Sequence, residues 1–145
     1  MPTWHPDGKE LAFVIDPWGS PAPPDGLRRL KLGGHEPVMI TDGGGWQDAN
    51  PAWSPDAERI AWTAYEEGRE NPKSGVYIIS ASGTNRRQLT RGGQAPSWSP
   101  DGTRIAFFDT YSDAARADSL VEALFVVNAD GSGRRRLTHL DDYRR

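Results

Sequence analysis

The sequence predicts an all-β protein of three four-stranded antiparallel propeller blades, which amount to half of a six-bladed β-propeller. Three observations support this prediction. A Trp-x-Pro-Asp corner occurs three times, at Trp4–Asp7, Trp53–Asp56 and Trp98–Asp101. An apolar-Ala-aromatic triplet follows each corner, at Leu11–Phe13, Ile60–Trp62 and Ile105–Phe107. A glycine and a threonine recur at one fixed separation, as Gly34 with Thr41, Gly83 with Thr90 and Gly131 with Thr138. The repeat interval of about 45–50 residues is close to the length of a propeller blade.

Each repeat divides into four predicted strands. The first strand ends in the corner, and the second contains the triplet. The third strands are expected at Leu27–Leu32, Val76–Ile79 and Leu124–Val127, where apolar residues suit a half-buried sheet. The fourth strands end on Ile40-Thr41, Leu89-Thr90 and Leu137-Thr138. We therefore expect one domain over residues 1–145, with blades at about 1–45, 46–91 and 92–145.

The corners carry turn chemistry. Proline presets φ, aspartate bonds to the backbone two residues on, and glycine supplies a positive φ. Ala57 stands where the other corners have Gly8 and Gly102, which predicts a strained corner or a different turn type. In the third repeat, Ser119 and Glu122 have the spacing of a capping box. This spacing predicts a short helix between Asp113 and Glu122.

The composition limits the classes of function. The 145 residues carry a formal net charge of −3, which argues against nucleic-acid binding. The sequence has no cysteine and no apolar run long enough to span a membrane, so we expect no membrane insertion. The basic run Arg134-Arg135-Arg136 and the pair Arg86-Arg87 fall at the same place in two repeats. We interpret them as solvated edge-strand residues, which discourage edge-to-edge pairing, rather than as a phosphate site.

These motifs resemble the TolB-type WD-like β-propeller repeat over nearly the whole chain, from Pro2 to Thr138. The resemblance implies that the Trp-Ser-Pro-Asp strand is innermost and the Arg-Arg-x-Leu-Thr strand is outermost. It also implies a periplasmic or other extracytoplasmic protein, although no signal peptide is visible. Propellers of this type occur in a periplasmic protein that binds lipoprotein and porin partners. They also occur as the non-catalytic propeller of prolyl-oligopeptidase-like enzymes.

Three blades are too few for a closed propeller, which has four to eight. An open arc would expose two apolar sheet faces. We expect a head-to-tail homodimer that closes a six-bladed ring, because the segment after Thr138 matches the other inter-blade links in length. The alternative is a fragment of a longer propeller chain, prolyl-oligopeptidase-like or lectin-like, whose ligand or catalytic role lies elsewhere.

Binding residues are expected on the face that carries the long, variable loops. The candidates are aromatic or acidic: Trp18, Trp46, Asp48, Tyr65, Tyr111, Asp141, Asp142 and Tyr143. A protein partner on this face fits the resemblance, and solvated loop residues are the alternative interpretation. The corner residues Trp4, Asp7, Trp53, Asp56, Trp98 and Asp101 are interpreted as structural.

No catalytic constellation is evident in the sequence. There is no Gly-x-Ser-x-Gly elbow and no phosphate-binding loop. The histidines His5, His35 and His139 fall at three different repeat positions, which gives no reason for a shared zinc ion. We therefore expect a non-enzymatic binding scaffold without a cofactor or a metal. A propeller with hydrolase-like or lectin-like activity at its central funnel is the second class.

Overall fold

A computed structural model of the chain describes residues 1–15, 26–43, 46–66, 73–113 and 119–138. Within these residues, the structure contains β-strands and turns and no helix. In chain order the strands are β1 (Thr3–Trp4), β2 (Glu10–Val14), β3 (Leu27–Lys31), β4 (Val38–Met39), β5 (Trp46–Trp53), β6 (Arg59–Glu66), β7 (Gly75–Ser80), β8 (Arg87–Gln88), β9 (Gln94–Trp98), β10 (Arg104–Asp113), β11 (Ser119–Asn128) and β12 (Arg135–Arg136).

The strands form three separate four-stranded sheets, each with its strands in sequence order. All pairings within the sheets are antiparallel, as the repeat predicted. The all-β fold and the three four-stranded blades are therefore confirmed. We call the sheets blade 1 (β1–β4), blade 2 (β5–β8) and blade 3 (β9–β12). The tryptophan strand and the short fourth strand form the two edges of each blade.

The corner chemistry is the same in each blade. The carboxylates of Asp7, Asp56 and Asp101 accept a hydrogen bond from the backbone N–H two residues on, at 2.8–3.0 Å. The hydroxyls of Ser54 and Ser99 also donate to the carboxylates of their corners, each at 2.5 Å. In blade 1 the imidazole of His5 lies 2.7 Å from the Asp7 carboxylate, in the place of the serine hydroxyl.

The corner of blade 2 is strained, as expected from its sequence. Ala57 has a φ of 62°, whereas glycines occupy this position in the other corners with φ values of 71° and 68°. The backbone turn is shared, since each of these three residues donates its N–H to the carbonyl three residues earlier. Ala57 therefore adopts a left-handed conformation that L-residues disfavour.

The repeated threonine ties the third strand of each blade to its fourth. The N–H of Leu27 donates to Thr41 Oγ1, that of Val76 to Thr90 Oγ1, and that of Leu124 to Thr138 Oγ1. The three bonds measure 2.8–3.2 Å. The repeated position of the threonine thus satisfies one backbone donor of each third strand.

The apolar core lies between blades. One cluster joins blades 1 and 2 through Ala12, Leu27, Trp53, Ile60, Trp62 and their neighbours. The other joins blades 2 and 3 through Ala61, Val76, Ile78, Phe107, Phe125 and their neighbours. We call the face of a blade that meets the next blade its leading face, and the face that meets the preceding blade its trailing face. Each blade is stabilised by its neighbours, as expected for stacked repeats.

The helix expected between Asp113 and Glu122 is wrong where the structure describes this region. Strand β10 continues to Asp113, and β11 begins at Ser119. The two strands pair in register from Arg104 with Asn128 to Asp113 with Ser119. Pairing across this long hairpin satisfies the backbone groups of Ser119–Glu122, so the capping-box spacing has no helix to cap.

Candidate functional site

The candidate residues of the loop face fall into three groups. Trp18, Asp141, Asp142 and Tyr143 lie outside the described residues. Trp46 and Asp48 lie at the junction of blades 1 and 2, whereas Tyr65 and Tyr111 lie at the junction of blades 2 and 3. The structure therefore places the four described candidates at two junctions.

Asp48 is buried in a hydrogen-bonded network between blades 1 and 2. Its Oδ2 accepts from the Thr41 hydroxyl at 2.5 Å, and its Oδ1 accepts from the Trp62 indole N–H at 2.8 Å. Burial raises the pKa of the Asp48 carboxyl, and the hydrogen bonds from Thr41 and Trp62 partly offset that rise. Both carboxylate oxygens are thus occupied by protein donors, and we assign Asp48 to the junction.

Blade 3 has a different arrangement at the same position. Gly93 stands five residues before Trp98, as Asp48 stands five residues before Trp53. An added Cβ at Gly93 would lie 2.5 Å from Cδ2 of Phe107, which takes the place of Trp62. Phenylalanine has no N–H to satisfy, so this junction needs no acceptor and has no room for one.

Trp46 belongs to an aromatic group beneath an arginine. Its ring lies 5.8 Å from the Tyr77 ring, and the Tyr77 ring lies 5.7 Å from that of Trp62. The Arg86 guanidinium lies 5.0–5.6 Å from the centroids of all three rings. Arg134 lies in the same way over Phe107 and Phe125 in blade 3. These arginines therefore make cation–π contacts, which the edge-strand interpretation did not foresee.

Tyr65 begins a chain of side-chain hydrogen bonds that joins blade 2 to blade 3. Its hydroxyl donates to Gln94 Oε1 at 3.1 Å, and Gln94 Nε2 donates to Glu122 Oε1 at 3.0 Å. Burial raises the pKa of the Tyr65 phenol. Tyr65, Gln94, Asp109 and Glu122 also line a shallow cavity that links blade 2 to blade 3. Gln94 and Glu122 were missed from sequence, because only strand register brings them to Tyr65.

Tyr111 lies against the core between blades 2 and 3, where the Arg136 guanidinium is 3.9 Å from its ring centroid. No group of three His, Asp or Glu side chains that could hold a metal ion occurs among the described residues. The described part of the chain also contains no helix long and apolar enough to cross a membrane.

Both ends of the three-blade arc present apolar side chains to solvent. On the trailing face of blade 1, Trp4 is 58% exposed, whereas the equivalent Trp53 is 7% exposed. On the leading face of blade 3, Phe108 is 42% exposed, whereas the equivalent Thr63 is fully buried. Leu137 is 39% exposed, and its equivalent Leu89 is buried. These end faces have the side chains of a blade junction without the neighbouring blade.

Comparison with known proteins agrees with the repeat and the fold. The Tol-Pal system protein TolB of Anaeromyxobacter dehalogenans (strain 2CP-C) is 36% identical over 106 residues, which cover 73% of this chain and 22% of that protein. The chain therefore spans about a fifth of the length of this curated relative. No protein-family model matches the chain.

Solved structures with the same fold include both TolB and enzymes. A structure assigned as TolB from Agrobacterium tumefaciens superposes with a TM-score of 0.74 and 22% identity, covering 94% of this chain and 47% of that one. An oligogalacturonate lyase in complex with manganese superposes with a TM-score of 0.68 and 17% identity, covering 95% and 40%. The fold class is therefore a β-propeller whose members include enzymes. This chain is similar to TolB and contains three four-stranded sheets of the kind that form such a propeller.

Proposed function

We propose that this chain is a non-enzymatic protein-interaction scaffold that closes, head to tail with a second copy, into a six-bladed ring. In this ring, the leading face of blade 3 packs on the trailing face of blade 1 of the other copy. Two equivalent junctions form, and the ring has twofold symmetry.

The exposed end faces carry this proposal. Burial of apolar surface contributes about 25 cal/mol per Å². Trp4, Phe108 and Leu137 are exposed at positions whose equivalents elsewhere in the chain are buried. The chain also superposes on 47% of the TolB structure, so two copies supply about the blades of one such propeller.

The interaction role is proposed for the loop face of the closed ring. The candidates from the sequence are the aromatic and acidic residues Trp18, Trp46, Asp48, Tyr65, Tyr111, Asp141, Asp142 and Tyr143. Of these, buried Asp48 would contribute by holding the blade junction rather than by touching a partner. Among them, Tyr65 is the best placed for a partner, because it lies at an open cavity with Gln94 and Glu122. A protein partner agrees with the Tol-Pal system protein that the chain resembles.

The test is the mass of the purified chain in solution. Light scattering at micromolar concentration should give twice the chain mass of 16.0 kDa. Because folding and association are coupled, the melting temperature should rise with protein concentration. A folded monomer at all concentrations would contradict the ring, and a threefold mass would replace it with nine blades.

The second candidate is a fragment of a longer propeller chain, whose remaining blades cover the end faces. The observation that favours it is the 22% coverage of the TolB relative. In that case the purified chain should stay monomeric or aggregate. Extending it with the adjoining coding sequence should then restore a soluble, monomeric propeller.

A further inference from the structure

The junction between blades 2 and 3 contains a contact that we call the inner clasp. The Arg59 guanidinium lies 4.7 Å from the centroid of the Trp98 ring, and its Nη2 lies 3.5 Å from the Gly102 carbonyl oxygen. The Trp98 indole N–H donates back to the Ala52 carbonyl at 3.1 Å. An arginine of one blade and a tryptophan of the next are thereby held across the junction.

A second contact, the outer clasp, lies near the fourth strand. Arg87 donates from Nη1 to the Asp130 carbonyl at 3.1 Å, and from Nη2 to the Ala129 carbonyl at 2.5 Å. These carbonyls belong to the turn between β11 and β12. The two clasps line a shallow groove between the blades together with Thr103 and Asn128.

The junction between blades 1 and 2 has neither clasp. Glu10 occupies the register position of Arg59, and Val38 occupies that of Arg87. In place of the arginine, the imidazole of His5 meets the ring of Trp53 edge-on at 4.7 Å. The Trp53 indole N–H is buried without a hydrogen-bond partner.

On its exposed leading face, blade 3 has arginines at the positions that correspond to the two clasp arginines of blade 2. Arg104 pairs with Asn128 as Arg59 pairs with Ser80, and Arg135 pairs with Val126 as Arg87 pairs with Ile78. Arg104 and Arg135 are exposed, and no contact to another blade is recorded for either among the described residues.

Blade 1 carries the groups that would receive them. Trp4 has the register position of Trp98 and is mostly exposed. Gly8 closes the corner turn as Gly102 does. The Leu32 N–H bonds to the Lys9 carbonyl as the Ala129 N–H bonds to that of Thr103, so Gly33 stands at the position of Asp130. The positive φ lies at Gly33 in blade 1 and one position later, at Gly131, in blade 3. The peptide between Leu32 and Gly33 is therefore turned over relative to its counterpart, and the Gly33 carbonyl is the one that corresponds to a clasp acceptor.

We propose that Arg104 and Arg135 of one copy clasp blade 1 of a second copy. Arg104 stacks on Trp4 and reaches the Gly8 carbonyl, and Arg135 binds the Gly33 carbonyl. The Trp4 indole N–H donates to the Ser97 carbonyl, the equivalent of Ala52. This inference rests on the proposed head-to-tail ring, and it assigns the residues that hold that ring closed.

Two lysines oppose the same contact. Lys9 and Lys31 are exposed on blade 1 at the register positions of Thr103 and Asn128, which line the groove between blades 2 and 3. In the closed ring they face Arg104 and Arg135, and like charges repel. Replacing them with the residues of blade 3 should therefore strengthen the junction.

The first experiment measures the dimer dissociation constant by sedimentation velocity across a dilution series. R104A/R135A should raise this constant about ten-fold per junction, and so about a hundred-fold for the two junctions of the ring. Urea unfolding of the dilute monomer should be unchanged, because neither arginine contacts another blade within the described part of one copy. The matched variant R59A/R87A should instead destabilise the monomer itself.

The second experiment uses K9T/K31N, which should lower the dissociation constant and reduce its dependence on salt. If wild-type protein dimerises but R104A/R135A dimerises equally well, the clasp is overturned and the ring stands. An unchanged or weaker dimer of K9T/K31N likewise overturns the assigned register. Wild-type protein that never dimerises overturns the ring and the clasp together.

Discussion

The strained corner of blade 2 provides an internal comparison, because the same turn occurs three times with different residues. Ala57 and Gly102 close equivalent turns at φ values of 62° and 68°. A left-handed conformation costs an L-residue about 1–2 kcal/mol. Replacing alanine with glycine relieves this strain, but about 0.5–1 kcal/mol of the gain is offset because glycine loses more conformational entropy on folding. The Ala57 methyl is half-buried, and losing it costs about 0.4 kcal/mol.

We therefore expect Ala57→Gly to stabilise the protein by about 0.5 kcal/mol. The reverse change, Gly102→Ala, should destabilise it by about 0.5–1 kcal/mol. An added Cβ at Gly102 meets nothing closer than 3.8 Å, so this variant measures the backbone cost without a steric clash.

The assay is urea unfolding at one fixed protein concentration, followed by tryptophan fluorescence. The midpoints should move in opposite directions while the m-value stays constant. Gly8→Ala is a second control, because an added Cβ there has no heavy atom within 4 Å. If Ala57→Gly lowers the midpoint, or Gly102→Ala leaves it unchanged, the strain argument is refuted.

Three further predictions use the same unfolding assay. Trp53→Ala should lower the free energy of unfolding by about 3–5 kcal/mol, and Trp98→Ala should lower it by less because Trp98 is only partly buried. Trp4→Ala should lower it by under about 0.5 kcal/mol in the dilute monomer, because Trp4 is exposed there. Equal losses for the three variants would contradict the assigned junction roles. Burial raises the pKa of Asp48 in the folded state above its ordinary 3.8. The folded protein therefore holds a proton on Asp48 that the unfolded protein has lost, and the free energy of unfolding falls as pH rises from 3.8 through the folded-state pKa. Asp48→Asn should remove that fall, and a variant that tracks the wild type from pH 4 to 7 would argue against it. Hydrogen bonds from the Ser99 hydroxyl and Thr103 lower the pKa of Asp101 to about 2, so its contribution is present above pH 3.8 and is lost as pH falls toward 2. Asp101→Asn should reduce the loss of unfolding free energy between pH 3.8 and pH 2. An unchanged loss would mean that other groups cause the acid sensitivity.

The blades were predictable from sequence because their signals are local. The hydrogen bonds of Asp56 and Asp101 lie within their own turns, and the strain at Ala57 follows from the missing glycine. The helix before Glu122 was wrong because a capping-box spacing is also local, whereas ten register pairs along the β10–β11 hairpin decided the conformation.

The junction chemistry was not predictable in the same way, because its partners are distant in sequence. Asp48 was a loop-face candidate until strand pairing brought it to the Trp62 indole. Arg86 was expected in solvent, yet its guanidinium lies over three rings. The sequence did contain one signal of this chemistry. Asp48 accompanies Trp62 in blade 2, whereas Gly93 accompanies Phe107 at the same two repeat positions in blade 3.

That pairing also bears on how the proposed ring closes. The chain contains two kinds of junction, one with the Asp48–Trp62 hydrogen bond and one with Phe107 over Gly93 beside the arginine clasps. Blade 1 has Phe13 at the register position of Phe107, so its trailing face presents a ring at this position without an indole N–H that needs a buried acceptor. Blade 3 independently carries clasp arginines on its leading face. Both halves of the closing junction therefore match the junction of blades 2 and 3.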